Sequence, residues 1–337
     1  MKEYHYEHPF ELESGASLPS LTIAYDTYGT LNANADNVVW VCHALTANSD
    51  VADWWPHTVE RGRFLDPEKY FIVCANFLGS HYGTTGPLHI NPQTGNPWYN
   101  DFPPFTIRDM VQAHRLLAAH LGISQVELLV GSSIGGFQCI EWCVIDPTFA
   151  RHAALIATAE CVSPWVSAFN ESQRMAIKAD KTFGMPSPTA GAEGLAVARS
   201  IAMLSYRGEA AYNLTQTDSF SDGELFRRRV HSYQQHQGEK LKNRFNAYSY
   251  FRITQAMESH HVGRGRGGIE KALATIRAKC LVVAISSDIL FPPESHLVMV
   301  ENIPNVEYEV IDSSFGHDGF LVESDKLDRI IQSFLNK

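Results

Sequence analysis

Residues 126–136 read Val-Glu-Leu-Leu-Val-Gly-Ser-Ser-Ile-Gly-Gly, and this stretch decides the fold. Val126 to Val130 is a short apolar run of the kind found in strands buried on both faces. A helix is expected to follow from Ile134 to Ile145. Between the two, Gly131, Gly135 and Gly136 permit a sharp turn with Ser133 at its apex. A serine on such a strand-to-helix turn stands at the top of a sheet, beside a helix N-terminus that favours developing negative charge. Gly-x-Ser-x-Gly also arises by chance in glycine-rich turns. Ser132 is the alternative nucleophile, but only Ser133 has glycine at both −2 and +2.

Outward from this turn, strands and helices alternate. Strands are expected over Leu21–Tyr28, Asn37–Cys42, Tyr70–Cys74 and Ala153–Ile156. Thr106 with Asp109 forms a helix-capping signal ahead of Ile107, Met110, Val111, His114, Leu117 and Leu121, and Gly122 ends that helix. From about residue 162 the pattern changes to helical stretches such as Ala192–Leu204 and Gly223–Gln234, rich in basic, Gln and Asn residues. Alternation resumes with strands Cys280–Ile285 and Val306–Ile311 and a closing helix over Ser324–Leu335. The fold class is therefore α/β: a mostly parallel sheet flanked by helices, with an inserted helical segment. Such sheets bind ligands at the carboxyl ends of their strands.

A serine nucleophile needs a base, and the base needs an orienting carboxylate, in the chain order Ser, acid, His. Asp288 follows the strand Cys280–Ile285, and His317 follows the strand Val306–Ile311. Both lie at the strand edge that carries Ser133. Asp312 is a second candidate acid, but it ends the His317 strand, so Asp288 is preferred. The backbone N–H groups of Ile134 and of Leu45, in the loop after Asn37–Cys42, are the expected oxyanion hole. His43 in that loop is read as a turn-shaping residue. The loop Gly263–Gly268, with Arg264 and Arg266, is either a solvated turn or a phosphate contact. Trp54-Trp55 is either packing or the lining of an acyl tunnel.

Composition narrows the function classes. The chain has 337 residues, 45% hydrophobic and 19% charged, enough to bury a substantial core. Its 27 basic and 37 acidic residues give a net charge of −10, a poor basis for binding nucleic acid or an anionic membrane. The six cysteines are scattered without a C-x-x-C, which reads as reduced core thiols of a cytoplasmic protein and no metal site. The opening Met1-Lys2-Glu3-Tyr4-His5 has no apolar core, so no secretory signal is expected, and no run approaches the ~18 apolar residues of a membrane span.

Longer segments carry a specific resemblance. They include CHALTANSDVADWW from Cys42, ANFLGSHYGTTGP from Ala75, INPQTGNPW from Ile90 and DFPPFTIRDMVQAHRLLAAHLGI from Asp101. GSSIGGFQCIEW from Gly131, ARSIAMLSYRG from Ala198, SSDILFPP from Ser286 and GHDGFL from Gly316 complete the set. With these the chain resembles the homoserine O-acetyltransferases, acyltransferases of methionine biosynthesis with the α/β-hydrolase fold. It departs at the elbow, where Ser132 and Ile134 replace a Gly and a Met, and at Asn48-Ser49.

The resemblance implies a Ser133–Asp288–His317 triad, and Arg199 and Asp318, with Tyr206 nearby, as binders of the amino-acid substrate. A guanidinium suits the carboxylate of zwitterionic homoserine and a carboxylate suits its ammonium. It further implies acetyl-CoA as co-substrate with no bound cofactor, L-homoserine as acceptor, a homodimer, and a helical cap over about residues 162–275 between two core parts, 1–161 and 276–337. Three other readings compete: succinyl-CoA as donor or L-serine as acceptor; a plain serine esterase, which has no use for Arg199 with Asp318; and a non-catalytic binding protein, which has no use for a triad.

Overall fold

The computed structural model describes residues 1–218, 226 and 228–337. Four strands open the chain: β1 (Lys2–Tyr6), β2 (Phe10–Glu11), β3 (Ser17–Leu18) and β4 (Leu21–Tyr28). Then come β5 (Val38–Cys42), α1 (Val51–Trp54), β6 (Phe71–Ala75), α2 (Ile107–His120), β7 (Val126–Ser132), α3 (Ile134–Ile145) and β8 (Ala150–Ile156). A helical insertion follows: α4 (Pro164–Ala179), α5 (Ala192–Tyr206), α6 (Glu209–Gln216), α7 (Arg229–Lys242), α8 (Ala247–Glu258) and α9 (Ile269–Leu273). The chain closes with β9 (Lys279–Ile285), α10 (Leu297–Asn302), β10 (Val306–Ile311), α11 (Gly319–Val322) and α12 (Ser324–Leu335).

Eight strands make one sheet in the order β1-β4-β6-β5-β7-β8-β9-β10. The pairs from β6 through β10 are parallel, and β4 runs antiparallel to both its neighbours. The unbroken apolar run of β5 has a direct cause. Val38, Trp40 and Cys42 pack on one face with Met110 and Leu117 of α2 and Phe137 and Ile140 of α3. Val39 and Val41 pack on the other with Trp55, Phe64 and the α12 residues Leu327, Ile331 and Phe334. Successive strand residues point to opposite faces and both faces are covered, so no position is left for a polar residue. Full burial of each such side chain contributes about 1.5–3 kcal/mol.

The α2 cap forms as its sequence implies: the Thr106 side chain accepts from the Asp109 N–H and the Asp109 side chain from the Thr106 N–H. Gly122, at φ 70°, closes that helix. Two elements differ from the sequence pattern by three or more residues. β8 starts at Ala150, three residues before the apolar run, because Arg151 lies at the exposed end of the strand and pairs with Glu127 of β7 at 3.3 Å. Where a helix is expected over Gly223–Gln234, α7 begins only at Arg229 and runs on to Lys242; residues 223–225 and 227 lie outside the described residues. Gly238 argues for a stop there, yet it is buried against α5, where a Cβ would stand 2.7 Å from the Ala196 carbonyl oxygen. Tertiary packing thus overrides poor helix propensity. β10, at the bounds expected for it, is the sheet edge, with Glu309 and Val310 exposed.

Candidate active site

Strand register brings the relevant carboxyl ends level. Cys42 pairs with Gly131, Ser132 with Ile156, Ile156 with Val283 and Ile285 with Ile311. The loops after β5, β7, β9 and β10 therefore open on one edge of the sheet, where its strand order reverses at β5.

Ser133 has φ 56° and ψ −126°. Such a conformation costs a non-glycine residue about 1–3 kcal/mol and persists only where neighbours hold it. Here the Ser133 N–H donates to the Ile156 carbonyl at 3.0 Å, and its own carbonyl accepts from Thr158 Oγ1 and the Gly136 N–H, both at 2.9 Å. A Cβ on Gly135 would stand 2.1 Å from the Cys42 carbonyl oxygen, so the start of α3 lies directly on the end of β5. That contact sets the turn against the loop carrying Leu45. Among the described residues, neither the Leu45 nor the Ile134 N–H has a hydrogen-bond acceptor. Ser132 is fully buried with its hydroxyl unpartnered and does not line the cavity above Ser133.

Asp288 is buried, and its two oxygens are divided. Oδ1 accepts from the Leu290 and Phe291 N–H groups at 2.8 and 3.1 Å. Oδ2 lies 2.7 Å from His317 Nδ1. Burial opposes a charge on His317, but the charge and hydrogen bond of Asp288, with the charge of Asp318, outweigh it and raise its pKa above the ordinary value. Asp312 stands apart, accepting from Ser286 Oγ at 3.1 Å.

One cavity of about 630 Å³ is lined by Leu45, Ser133, Arg199, Tyr206, His317 and Asp318, among others. The Arg199 guanidinium lies over the Tyr206 ring, 5.2 Å from its centroid, and that ring is 5.9 Å from the His317 imidazole. Burial pushes the Asp318 carboxyl above its ordinary pKa, against the pull of Arg199, Arg207 and His317. A second, narrow pocket of about 20 Å³ also touches Ser133, with Val166, Met257, Leu290 and Phe291 in its wall.

The remaining sequence candidates divide. Trp54 lines the large cavity, whereas Trp55 is fully buried and donates its indole N–H to the Phe320 carbonyl at 3.0 Å. His43 is buried against Phe77, its Nδ1 2.8 Å from the Ala44 carbonyl oxygen, and burial lowers its pKa to about 4. It shapes the loop and does not face the cavity. Arg264 and Arg266 are not in the cavity wall. They pair with Glu13 and Glu141, at 2.6 and 2.7 Å. The Arg264 hydrogen bond draws the Glu13 carboxyl down to about 2. A loop so engaged joins the insertion to the core.

Residues 37–324 match the model of the α/β hydrolase fold. The homoserine O-acetyltransferase of Cyclobacterium marinum is 44% identical over 331 residues, which cover 98% of this chain and 94% of that one. The chain belongs to the homoserine O-acetyltransferase family. Among solved structures, the homoserine O-acetyltransferase from Bacillus anthracis superposes with a TM-score of 0.91 at 23% identity, covering 100% of this chain and 97% of that one, a likeness of fold. The acetyl esterase MekB superposes with a TM-score of 0.86 at 26% identity, covering 100% and 96%.

Within this homoserine O-acetyltransferase fold, two arginines matter that no local sequence pattern singles out. Arg244 donates to the Thr46 carbonyl and to the Tyr82 hydroxyl, both at 2.6 Å, and so ties the insertion to the loop that carries Leu45. Arg207 donates from Nε to Asp318 Oδ2 at 3.2 Å. The partners of Arg244 lie 198 and 162 residues away, and that of Arg207 lies 111 residues away. Among the described residues, no cluster of three or more His, Cys, Asp or Glu is arranged to hold a metal ion, and no helix is long and apolar enough to cross a membrane.

Proposed function

We propose that the chain moves an acetyl group from acetyl-CoA to the hydroxyl of L-homoserine, through an acetyl-Ser133 intermediate, in methionine biosynthesis. The observation that carries this reading is a single cavity that holds Ser133 and His317 together with cations, Arg199 among them, and the carboxylate of Asp318. A hydrolase acting on neutral esters needs only the first pair. A zwitterionic acceptor needs all four, since burying either of its charges unpaired is costly.

In the first step His317 takes the Ser133 proton as Oγ attacks the thioester carbonyl. The Leu45 and Ile134 N–H groups hold the oxyanion, each worth about 2.7–4 kcal/mol in comparable sites. Collapse expels coenzyme A, which leaves with the proton from His317, and the acetyl ester remains on Ser133. In the second step His317 deprotonates the homoserine hydroxyl, whose oxygen attacks that ester. Ser133 then departs and recovers its proton. The narrow pocket beside Ser133 is the seat assigned to the acetyl methyl group: Val166, Met257, Leu290 and Phe291 give it apolar walls, and its polar lining, Asn170, Gln173, Ser205 and Tyr206, holds no lysine or arginine. The helical segment 162–275 serves as a cap between core parts 1–161 and 276–337. It supplies Arg199 and limits water, the rival nucleophile. A cytoplasmic location accords with six unpaired cysteines. A homodimer accords with the exposed apolar residues Trp165, Met175, Val197, Leu204 and Leu214 on the helices of the insertion.

The deciding experiment assays purified protein with acetyl-CoA or succinyl-CoA against homoserine, serine and water. Acetyl transfer to homoserine is expected to dominate. The esterase reading, which the likeness to an acetyl esterase favours, requires hydrolysis to prevail at saturating homoserine.

The two halves of the reaction are expected to separate in Arg199→Ala. Coenzyme A should still be released in a single-turnover burst, because Arg199 meets only the acceptor. Transfer to homoserine should fall roughly ten- to a hundredfold, the equivalent of a charge-assisted contact worth ~1.5–3 kcal/mol. Rapid-quench measurement of both products checks this. Equal loss of burst and transfer would assign Arg199 to the donor site or to the fold.

A further inference from the structure

We propose that Arg207 is a positioning residue for the acceptor: from outside the cavity, it holds Asp318 in the orientation that receives the acceptor's ammonium group. The inference rests on the acyltransferase reading above.

The segment Tyr206-Arg207-Gly208, at the end of α5, lies directly on the turn that carries His317. A Cβ on Gly316, whose φ is 65°, would stand 2.5 Å from the Gly208 nitrogen and 3.0 Å from the Tyr206 carbonyl oxygen. Two stretches of backbone therefore touch, one from the insertion and one from the core. The core side is itself braced. The Gly316 N–H donates to Ser287 Oγ at 2.9 Å, and Ser287 Oγ donates to the Ser313 carbonyl at 2.6 Å. Across this contact Arg207 reaches Asp318.

The geometry divides the work between two arginines. Arg199 lines the cavity and has no carboxylate within ion-pair distance among the described residues, so its guanidinium is available to a ligand. Arg207 is not in the cavity wall and occupies Asp318 Oδ2. Oδ1 of Asp318 has no hydrogen-bond partner among the described residues, which leaves one oxygen for an incoming ammonium. Burial raises the Asp318 pKa, so its charged form depends on the cations beside it. The ionisable groups facing it are Arg199, Arg207, His317, Tyr206, Tyr212 and Tyr233. Of these, Arg207 alone is within hydrogen-bond distance of its carboxylate. An ion pair that merely stapled the insertion to the core would affect every acceptor alike. A positioning residue affects only an acceptor that carries an ammonium group.

The test compares three acceptors on the full-length enzyme loaded with acetyl-CoA: homoserine, propan-1-ol and water. In Arg207→Ala and in Arg207→Gln, which keeps a neutral donor on a shorter stem, the coenzyme A burst should stay within about twofold of wild type. The KM for homoserine should rise roughly ten- to a hundredfold, as for a lost charge-assisted contact. Transfer to propan-1-ol and to water should hold, so preference for homoserine falls by the same factor, and Arg207→Lys should recover part of it. An unchanged homoserine KM, a parallel loss with all three acceptors, or failure of both the Ala and Gln variants to fold overturns the proposal. Asp318→Asn run alongside separates the two levels of inference. If it too leaves the homoserine KM unchanged, the ammonium role of Asp318 is wrong. If it raises that KM while Arg207→Ala does not, only the role of Arg207 is wrong.

Discussion

Ser133→Ala is expected to abolish acyl transfer, with a loss on the order of 10⁶ in kcat, the scale seen when the nucleophile of a comparable triad is removed. The covalent step makes the prediction direct. Wild-type enzyme given acetyl-CoA without acceptor should gain one acetyl group on the peptide that holds Ser133, detectable by intact and peptide mass spectrometry. The variant should gain none. Ser132→Ala should still be acetylated, because the Ser132 hydroxyl is buried away from the cavity. The fold should survive in both. Alanine at 133 keeps the backbone bonds to Ile156 and Thr158 and loses only the hydroxyl, although it inherits the same left-handed φ. Acetylation that persists in Ser133→Ala would place the nucleophile elsewhere.

The elements around this serine were legible in the sequence because their signals are local. The helix from Ile134 to Ile145 stands at the boundaries expected after the strand and its glycine turn, and the closing helix from Ser324 to Leu335 at those expected from its apolar face. In the closing helix Leu327, Ile331 and Phe334 are buried, as one apolar face requires. The Asp288–His317 contact was legible for a different reason. Chain order and strand edge restrict the candidates, and the parallel register of β9 and β10 then sets the two loops side by side. What stayed hidden depends on long-range pairing. Arg264 reads as a solvated or phosphate-binding residue until Glu13, 251 residues away, is seen beside it. Arg207 and Arg244 likewise acquire meaning only when the insertion is laid on the core. No periodicity encodes which carboxylate or carbonyl a guanidinium will meet after folding. The extension of α7 past Gly238 is the same case in reverse, a local stop signal overruled by contact with Ala196.

The second large effect is expected in Asp288→Asn, and its pH dependence makes it more than a loss of activity. Asn keeps the shape and can still accept the Leu290 and Phe291 N–H groups through its carbonyl oxygen, so the loop after β9 should hold. The other side of the amide now presents an N–H₂ to His317 Nδ1, where Asp288 presented an acceptor. The imidazole then carries its proton on Nε2, the nitrogen a general base must keep free, and kcat should fall on the order of 10⁴, as in comparable triads. The sign of the pH shift follows from the forces on His317. Burial alone disfavours its charged form, and the charge and hydrogen bond of Asp288, with the charge of Asp318, reverse that balance and raise its pKa. In the wild-type enzyme kcat/KM should therefore decline, as pH falls, from a value above the ~6.5 of a free imidazole. Removing the Asp288 charge leaves burial the larger influence, so the acidic limb of the residual activity should move to lower pH. A pH–rate profile of both enzymes, with circular dichroism to verify the fold, measures both effects. A loss below about tenfold, or an acidic limb that stays in place, would mean that another carboxylate serves His317. Asp312 is the next candidate, and to serve it would have to give up its bond to Ser286.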